Sequence, residues 1–395
     1  MRIAYFTESL PPLTDGVART YTRLVETLND KKIDCLFFSP SKPKEEEPWR
    51  KRVIKLPSVP FPLYRYYRMG IPNRFKLDPI LDRFQPDLIH VAAPTPLCLY
   101  GQNYAFRRKL PTVASYHTHF VDYFPYYGFK WAIDGGWKWM KWCYNRSFYT
   151  FAPTQGTANE LTARGFNNVR LWPRGIDGKK FSPAFRSEDL RKKLGIGSQL
   201  LLLFVGRMVS EKNLQDLADA ALDLRSQGYQ FHLAFAGDGP YRAVMEKQLP
   251  NDHFFGFIQG QELAELYASS DIFVFPSTTE TFGNVTLEAF ASGLPVVAVN
   301  KGGSADLVQD GINGYLAKPT DPKDFAQKIL PLLENEPLRK SLSQGALQTA
   351  QTYDWPTINM RLLDICETLV AENSHHPEAQ KENPLSGEAA AKLFV

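Results

Sequence analysis

Short apolar runs rich in β-forming residues alternate with helical patterns along most of the chain, and this rhythm starts afresh near the middle. Strands that are buried on both faces of a parallel sheet have such continuous apolar sequences, and the helices between them cover the sheet. The repetition therefore predicts an α/β fold of two Rossmann-like, doubly wound domains. In sheets of this kind, ligands bind outside the carboxyl ends of the strands.

The predicted elements form two sets, separated by the Pro- and Gly-rich stretch RLWPRGIDGKKFSP. In the first set, the strands cover residues 3–7, 34–39, 88–91, 112–116 and 149–153, and the helices cover 17–29, 77–83, 100–109 and 157–163. In the second set, the strands are LLLLFVG, HLAFAG, HFFGF, DIFVFP and PVVAV, and the helices cover 214–227, 262–268 and 284–291, with a short one near Tyr241.

The boundary between the sets predicts an N-terminal domain over residues 1–172 and a C-terminal domain over residues 173–372. A last helical pattern, at 356–371, follows the second set and is assigned to the C-terminal domain. The alternative is that this helix packs back on the first domain. Residues 373–395 lack hydrophobic period and apolar density, which predicts a disordered tail.

The two halves differ in charge. Residues 1–172 carry 25 Lys and Arg against 14 Asp and Glu, a net charge of +11, whereas the remainder carries 21 against 28, a net charge of −7. A basic half favours an anionic partner, for which nucleic acid and an anionic membrane surface are the candidates. No apolar run is long enough to span a bilayer, and the opening MRIAYFTE lacks the layout of a secretory signal. The four scattered cysteines favour a reducing cytosol and no zinc site.

Two cations follow the apolar run LLLLFV. Arg207 comes directly after Gly206, and Lys212 lies five residues further on. A guanidinium can bind two oxygens at once and an ammonium acts as a point charge, so this pair at the carboxyl end of a strand suits a pyrophosphate. The alternative is a solvated loop with ordinary surface charges.

The segment STTETFGNVTLEAFASG follows the next predicted strand and carries two carboxylates, Glu280 and Glu288. Phe282, Gly283 and Asn284 stand where a helix begins, and the free backbone N–H groups there form an anion site. A carboxylate beside a bound phosphate needs hydroxyl groups from which to accept hydrogen bonds. The combination therefore predicts one sugar on each side of the phosphates, although either glutamate alone is equally well a cap or a salt-bridged helix residue.

The segments GRMVSEKN, AGDGP, ETFGNVTLEAFASGLPVV and GGSADLVQDGINGYL occur in this order. Together they resemble the retaining glycosyltransferases of family 4, which have the GT-B fold of two Rossmann-like domains facing a cleft. The resemblance covers about residues 1–370. It implies a nucleoside-diphosphate-sugar donor with uridine or guanosine as its base, no cofactor and no metal. The N-terminal domain would bind the acceptor and the C-terminal domain the donor.

The resemblance implies a role for each matching position in the C-terminal domain. Arg207 and Lys212 would hold the donor diphosphate. Glu280 would contact the sugar hydroxyls, and Glu288 would hold those of the ribose. The amides of Phe282 and Gly283 would assist Glu280, Asn284 would belong to the same helix start, and the backbone around Phe257 and Ile258 would face the base.

Two spots match in the N-terminal domain. PPLTDGVART places Gly16 at the turn after the first strand, beside the diphosphate, where many relatives have two glycines and this chain has Asp15-Gly16. SYHTHF ends a strand with two histidines. By position His117 matches the family's active-site histidine, whereas a structural role and substrate contact both remain open for His119.

DGVART, SYHTHFVDYFPYYGF and LWPRGID resemble the branch of the family that glycosylates diacylglycerol-type lipids, similar to the sulfoquinovosyl- and mannosyl-diacylglycerol synthases. A cluster of tryptophans and lysines supports a membrane partner, because interfacial segments place aromatic bodies at the acyl boundary and cations on head groups. The predicted membrane or acceptor residues are Trp131, Trp137, Trp139, Trp142, Lys138 and Lys141. A second patch at 61–76 has the same composition. The alternatives are that these aromatics form core or line a soluble acceptor pocket.

These observations predict a hexosyltransferase that acts with retention on a lipid acceptor, peripherally bound at the inner face of the membrane. The predicted catalytic residues are His117, Arg207, Lys212 and Glu280. Nucleic acid is the weaker explanation of the basic patches, and we expect none as a partner. The alternatives are the same chemistry on a sugar phosphate or glycan, a non-catalytic sugar-nucleotide sensor, and an epimerase of the same fold.

Overall fold

The computed structural model describes residues 1–375 apart from 14, 62, 63, 122, 123 and 125–127; the side chains of 61–67, 374 and 375 are also left out. The chain divides into two compact units. The first unit comprises Met1–Trp172 together with the chain from Pro356, and the second unit comprises Pro173–Trp355. Most of the predicted tail therefore lies outside the described residues.

The first unit contains a parallel sheet of seven strands and a separate antiparallel hairpin. The sheet strands are β1 (Arg2–Phe6), β2 (Asp34–Ser39), β3 (Val53–Lys55), β6 (Leu88–Val91), β7 (Thr112–Ser115), β8 (Tyr149–Ala152) and β9 (Val169–Leu171), and the hairpin is β4 (Ser58–Phe61) with β5 (Tyr64–Gly70). Their order across the sheet is β3-β2-β1-β6-β7-β8-β9.

Among the described residues up to Trp172, the α-helices are α1 (Gly16–Asp30), α2 (Arg74–Phe84), α3 (Pro96–Arg108), α4 (Ile133–Tyr144) and α5 (Gln155–Ala163). Side-chain caps begin several of them. Thr95 accepts a hydrogen bond from the backbone N–H of Cys98 at the start of α3, and Thr154 does the same for Thr157 at the start of α5. The strands β3 and β9, the hairpin and α4 were not among the predicted elements.

The second unit contains a six-stranded parallel sheet in the order β12-β11-β10-β13-β14-β15. Its strands are β10 (Leu200–Val205), β11 (Phe231–Ala236), β12 (His253–Gly256), β13 (Ile272–Phe275), β14 (Val296–Val299) and β15 (Gly314–Ala317). Its helices are α6 (Glu188–Lys193), α7 (Leu214–Ser226), α8 (Arg242–Gln248), α9 (Gln261–Ser269), α10 (Asn284–Ala291), α11 (Gly303–Leu307), α12 (Pro322–Glu334) and α13 (Glu336–Gln351). The central strands are buried along their length, as continuous apolar runs require.

The last helix, α14 (Trp355–His375), packs on the first unit. The indole N–H of Trp172 donates to the side-chain oxygen of Asn359 at 3.2 Å, and the Asn359 amide donates to the hydroxyl of Thr27 at 3.2 Å. The second unit therefore ends at Trp355 instead of residue 372, and α14 takes the alternative placement. The helix also includes residues 373–375, which the predicted tail covered.

The two parallel sheets with their helices confirm the predicted α/β fold of two Rossmann-like domains. Each sheet reverses its winding direction at one point. In the first unit the reversal lies between β1 and β6, and in the second between β10 and β13. We call the loops after β1 and β6 (7–13 and 92–95) the first crevice, and those after β10 and β13 (206–213 and 276–283) the second crevice. Ligands of doubly wound sheets bind at such positions. Within the described part of the chain, no helix combines the length and apolarity needed to cross a bilayer.

Candidate active site

The loop that carries Arg207 is held by the turn after the neighbouring strand. Met208 N–H donates to the Asp238 carbonyl at 2.9 Å, and Tyr241 N–H donates to the Met208 carbonyl at 2.9 Å. A Cβ atom on Gly237 would lie 1.9 Å from the carbonyl oxygen of Gly206, a contact that no side chain tolerates. The turn Gly237-Asp238-Gly239 therefore needs glycine for close backbone packing, and it supports the edge of the second crevice.

Lys212 and Glu280 meet across the second crevice. Lys212 ends a short 3₁₀ turn, Ser210–Lys212, and Asn213 then adopts a left-handed conformation (φ 53°) as α7 begins. The Lys212 ammonium contacts the carboxylate of Glu280, whose side chain is 23% exposed, while that of Lys212 is 10% exposed. The two predicted residues thus form an ion pair that joins the loops after β10 and β13.

Arg207 has a different setting. Its side chain is 54% exposed, and its guanidinium lies 3.6 Å from a carboxylate oxygen of Glu211, one turn further along the same loop. The second crevice therefore contains one half-exposed cation, Arg207, and one largely buried cation, Lys212, each beside a carboxylate. Glu211 was not predicted, because an acidic residue in a polar loop gives no signal of its partner.

The loop before α10 is fixed by backbone contacts with the start of α11. Gly303 N–H donates to the Glu280 carbonyl at 2.6 Å. Gly283 adopts a left-handed conformation (φ 92°), and a Cβ atom there would lie 2.6 Å from the hydroxyl of Ser304. No side chain caps α10, so its first amides, next to Phe282, Gly283 and Asn284, are available to an anion.

Glu288 lies one turn inside α10 and is almost completely buried. The hydroxyl of Tyr267 donates a hydrogen bond to its carboxylate at 3.0 Å. Tyr267, on α9, was missed by the sequence analysis, because its position on a buried helix face is typical of core. Phe257 and Ile258 follow β12; Phe257 is exposed and Ile258 is half-buried against the core of the second unit.

Gly16 is the first residue of α1, and Asp15 is its cap. The Asp15 carboxylate accepts from the Ala18 N–H at 2.8 Å and from the Ser9 hydroxyl at 2.6 Å. Asp15 thus caps α1 and also binds the loop that follows β1.

The two histidines after β7 differ in their contacts. His117 is largely buried, and its ring meets those of Tyr21 and Trp172 edge-on at centroid distances of 5.8 and 5.9 Å. His119 Nδ1 lies 3.1 Å from the hydroxyl of Tyr116. The Tyr116 contact favours the structural role for His119.

The first crevice contains a carboxyl group that the sequence analysis missed. Glu8 follows β1 and is 2% exposed, and one of its oxygens lies 3.9 Å from the thiol of Cys98. Burial raises the pKa of Glu8 from 4.5 to about 7, while hydrogen bonds from Thr95 and from the backbone of Gly70 act in the opposite direction. No described Lys or Arg forms an ion pair with this carboxyl.

The tryptophan cluster lies on and just before α4, and its members divide between core and surface. Trp137 faces the core of the first unit, with the guanidinium of Arg164 at 3.9 Å from its ring centre, which favours the core alternative for this residue. An amphipathic helix turns one residue in three or four inward, and composition does not reveal which. Trp142 is half-buried and stacks on Trp139 at 5.2 Å.

The remaining members of the cluster are at the surface. Trp131 is 82% exposed and Trp139 is 38% exposed, and both Lys138 and Lys141 are exposed. The second aromatic patch, 61–76, includes residues outside the described part, and only its later side chains are seen. Among the described residues, no three His, Cys, Asp or Glu side chains are grouped so as to hold a metal ion.

Sequence comparison assigns both halves of the chain to glycosyltransferases. The family model Glycosyl transferases group 1 matches residues 186–349, and the model Glycosyltransferase Family 4 matches residues 14–180. The sulfoquinovosyl transferase SQD2 of Arabidopsis thaliana is 33% identical over 365 residues, which cover 90% of this chain and 71% of the relative.

Two bacterial relatives match over similar lengths. A GDP-mannose-dependent alpha-mannosyltransferase of Corynebacterium glutamicum is 31% identical over 95% of this chain and 91% of its own length. An alpha-monoglucosyldiacylglycerol synthase of Streptococcus pneumoniae is 30% identical over 80% of this chain and 75% of its own length.

Structure comparison agrees on the fold. HepE of Anabaena, solved in complex with UDP, matches 93% of this chain and 100% of its own with a TM-score of 0.75 at 21% identity. The family matches, the relatives and the two Rossmann-like units confirm the predicted resemblance. This chain is therefore a glycosyltransferase, a member of the group 1 and family 4 glycosyltransferases with the GT-B fold.

Proposed function

We propose that this enzyme transfers a hexosyl unit from a nucleoside-diphosphate sugar to a lipid acceptor, with retention at the anomeric carbon. The observation that carries the donor assignment is the second crevice, where Arg207, Lys212 and the uncapped start of α10 lie at the switch point of one sheet. The leaving diphosphate develops negative charge, and preorganised cations and amides stabilise that charge without reorganisation.

The carboxylates of the second unit complete the donor site. Glu280, beside Lys212, would accept hydrogen bonds from the sugar hydroxyls, helped by the amides of Phe282 and Gly283. Glu288, held by Tyr267, would accept from the ribose. Exposed Phe257 and the backbone at Ile258 would face the base, for which uridine and guanosine both have support: one relative is GDP-mannose-dependent, and a structural neighbour was solved with UDP.

In the first unit, the family resemblance assigns Gly16 to the diphosphate and His117 to the reacting sugar. His117 is buried, and its ring lies edge-on against those of Tyr21 and Trp172, which limits its rotation and suits it to a positional role. We propose that the first unit binds the acceptor and the second the donor.

A lipid acceptor is supported by the surface of the first unit. Trp131 and Trp139 expose indole rings beside Lys138 and Lys141, the combination by which interfacial helices bind anionic bilayers. Residues 1–172 also carry a net charge of +11, and one relative is named for diacylglycerol glycosylation. We therefore propose peripheral attachment at the cytoplasmic face of the membrane.

The test is a panel of radiolabelled UDP- and GDP-hexoses incubated with mixed diacylglycerol-containing liposomes, followed by extraction into organic solvent. Label in the organic phase supports the lipid acceptor. Label transferred only to an added sugar phosphate or glycan would replace it with a soluble acceptor. Release of nucleotide without any acceptor would favour an epimerase, and binding without turnover would favour a sensor.

A further inference from the structure

The Lys212–Glu280 ion pair occupies the groups that the donor needs. The pair spans the second crevice, from the loop after β10 to the loop after β13. If Lys212 binds a diphosphate oxygen, its contact with Glu280 must loosen or be shared. Binding of an anion at Lys212 therefore replaces the contact of Lys212 with Glu280 by a contact with the anion.

This exchange has a cost that depends on the ligand. The Glu280 side chain is 23% exposed, so a carboxylate that loses its cation there is only partly rehydrated. Such a group is destabilising unless new hydrogen-bond donors reach it. The hydroxyls of a donor sugar are suitable donors. A nucleoside diphosphate without its sugar supplies no donor at that place, and it adds negative charge beside the carboxylate.

We propose that the Lys212–Glu280 ion pair makes the second crevice prefer the intact nucleotide sugar to the nucleoside diphosphate that remains after transfer. The inference rests on the donor assignment proposed above. With the intact donor, both partners of the pair gain new partners. After transfer, Glu280 competes with the diphosphate for Lys212, which weakens product binding and favours product release.

The other ion pair in the crevice supplies a matched control. Arg207 and Glu211 lie four residues apart on one loop, at 3.6 Å, and the arginine side chain is 54% exposed. The Glu211 side chain is 16% exposed, but water reaches the half-exposed guanidinium and screens its charge, so we expect the loss of this pair to change little. Removing the Glu211 charge therefore removes one carboxylate from the crevice without removing the exchange.

The experiment is titration calorimetry on the full chain with UDP, GDP, UDP-glucose and GDP-mannose. For whichever base binds, Glu280→Gln should bind the nucleoside diphosphate about tenfold more tightly than the parent, because Lys212 no longer has a competing anion. The same variant should bind the nucleotide sugar more weakly, so the preference reverses. Glu211→Gln should shift both ligands in the same direction, by less than about threefold.

Unchanged or weaker binding of the nucleoside diphosphate to Glu280→Gln overturns the inference. Glu280→Ala serves as the second variant, with the same expected direction for the nucleoside diphosphate. The donor assignment fails separately, if Lys212→Ala and Arg207→Ala both keep the parent's affinity for every nucleotide. Loss of binding in those two variants, together with an unchanged Glu280→Gln, refutes the ion-pair inference alone.

Discussion

The two crevices share one topology and differ in their chemistry. Each lies where a parallel sheet reverses its winding, and each contains a glutamate on a loop that follows a central strand. In the first crevice Glu8 is buried beside Thr95 and Cys98, and no described cation pairs with it. In the second, Glu280 contacts Lys212. The sheet topology thus determines where a ligand can bind, whereas the loop side chains determine which ligand charge is favoured.

The difference has a direct electrostatic meaning. Burial without a cation raises the pKa of Glu8 to about 7, so near neutral pH a large fraction of this carboxyl keeps its proton and the first crevice carries less than one full negative charge from it. In the second crevice each carboxylate has a cation beside it, Glu280 with Lys212 and Glu211 with Arg207. The two cations of the second crevice support the proposal that this crevice binds the diphosphate.

We expect the largest effect from removing the cations of the second crevice. Lys212→Ala and Arg207→Ala should each lower kcat by about 10²–10³, the usual loss when one preorganised group at a developing charge is removed. Turnover of the best donor, with the melting temperature measured in parallel, checks this. Lys247→Ala, which removes an exposed lysine of the same unit, should keep full activity. Near-normal turnover in both crevice variants would contradict the donor assignment.

The sequence analysis predicted the features that local sequence marks, and it did not predict contacts between loops. The helix over 284–291 was predicted with the bounds that α10 has, because a glycine, a buried face and a following strand mark it locally. Lys212 and Glu280 were both named, since parallel strands bring their carboxyl ends to one edge. Their contact with each other was not predicted, because it depends on the conformation of two loops.

Other features depended on long-range packing. Helix α14 returns to the first unit through Asn359, and no local pattern reveals which of two sheets a helix covers. Trp137 was assigned to a surface by composition and lies in the core. Glu8 was overlooked because a single acidic residue after a strand resembles any loop residue until its burial is known.

The second prediction tests the raised pKa of Glu8 in the first crevice. Because the pKa of Glu8 is raised from 4.5 to about 7, the folded state holds its proton more strongly than the unfolded state between these values. The stabilisation from this group is fully present below pH 4.5 and is lost as pH rises through 7. The total change is about 3 kcal/mol.

The measurement is urea unfolding at pH 5 to 8, followed by tryptophan fluorescence, since six of the seven tryptophans lie in residues 1–172. Relative to Glu8→Gln, the parent should lose about 2.5 kcal/mol of unfolding free energy across this range, since part of the total change falls below pH 5. Asp34→Asn, at an exposed carboxylate, should follow the parent. A parent whose stability relative to Glu8→Gln stays constant from pH 5 to 8 would mean that Glu8 is ionised throughout this range, as it would be beside a cation, and the contrast between the crevices would disappear.

The third prediction concerns the surface that distinguishes the first unit. Replacing Trp131 and Trp139 together with serine should lower partitioning onto anionic liposomes by about tenfold, because exposed indole area no longer enters the interface. Phe106→Ser is the matched control, since it removes an exposed aromatic ring at the far end of α3. Liposome sedimentation measures the effect. Equal losses in both variants would indicate general surface hydrophobicity in place of a membrane face.

The fourth prediction expects the smallest effect and tests whether side chains and amides supply the positive charge of the second crevice. If Arg207, Lys212 and the start of α10 neutralise the leaving diphosphate, a strong chelator should change initial rates by less than about twofold. Mild stimulation by magnesium is compatible with this, since the ion also binds free diphosphate. Complete loss of activity in chelator, restored by one divalent ion, would assign the charge to a metal. The Lys212–Glu280 pair would then be a structural contact, and the charges of the two crevices would no longer support the assignment of the donor to the second one.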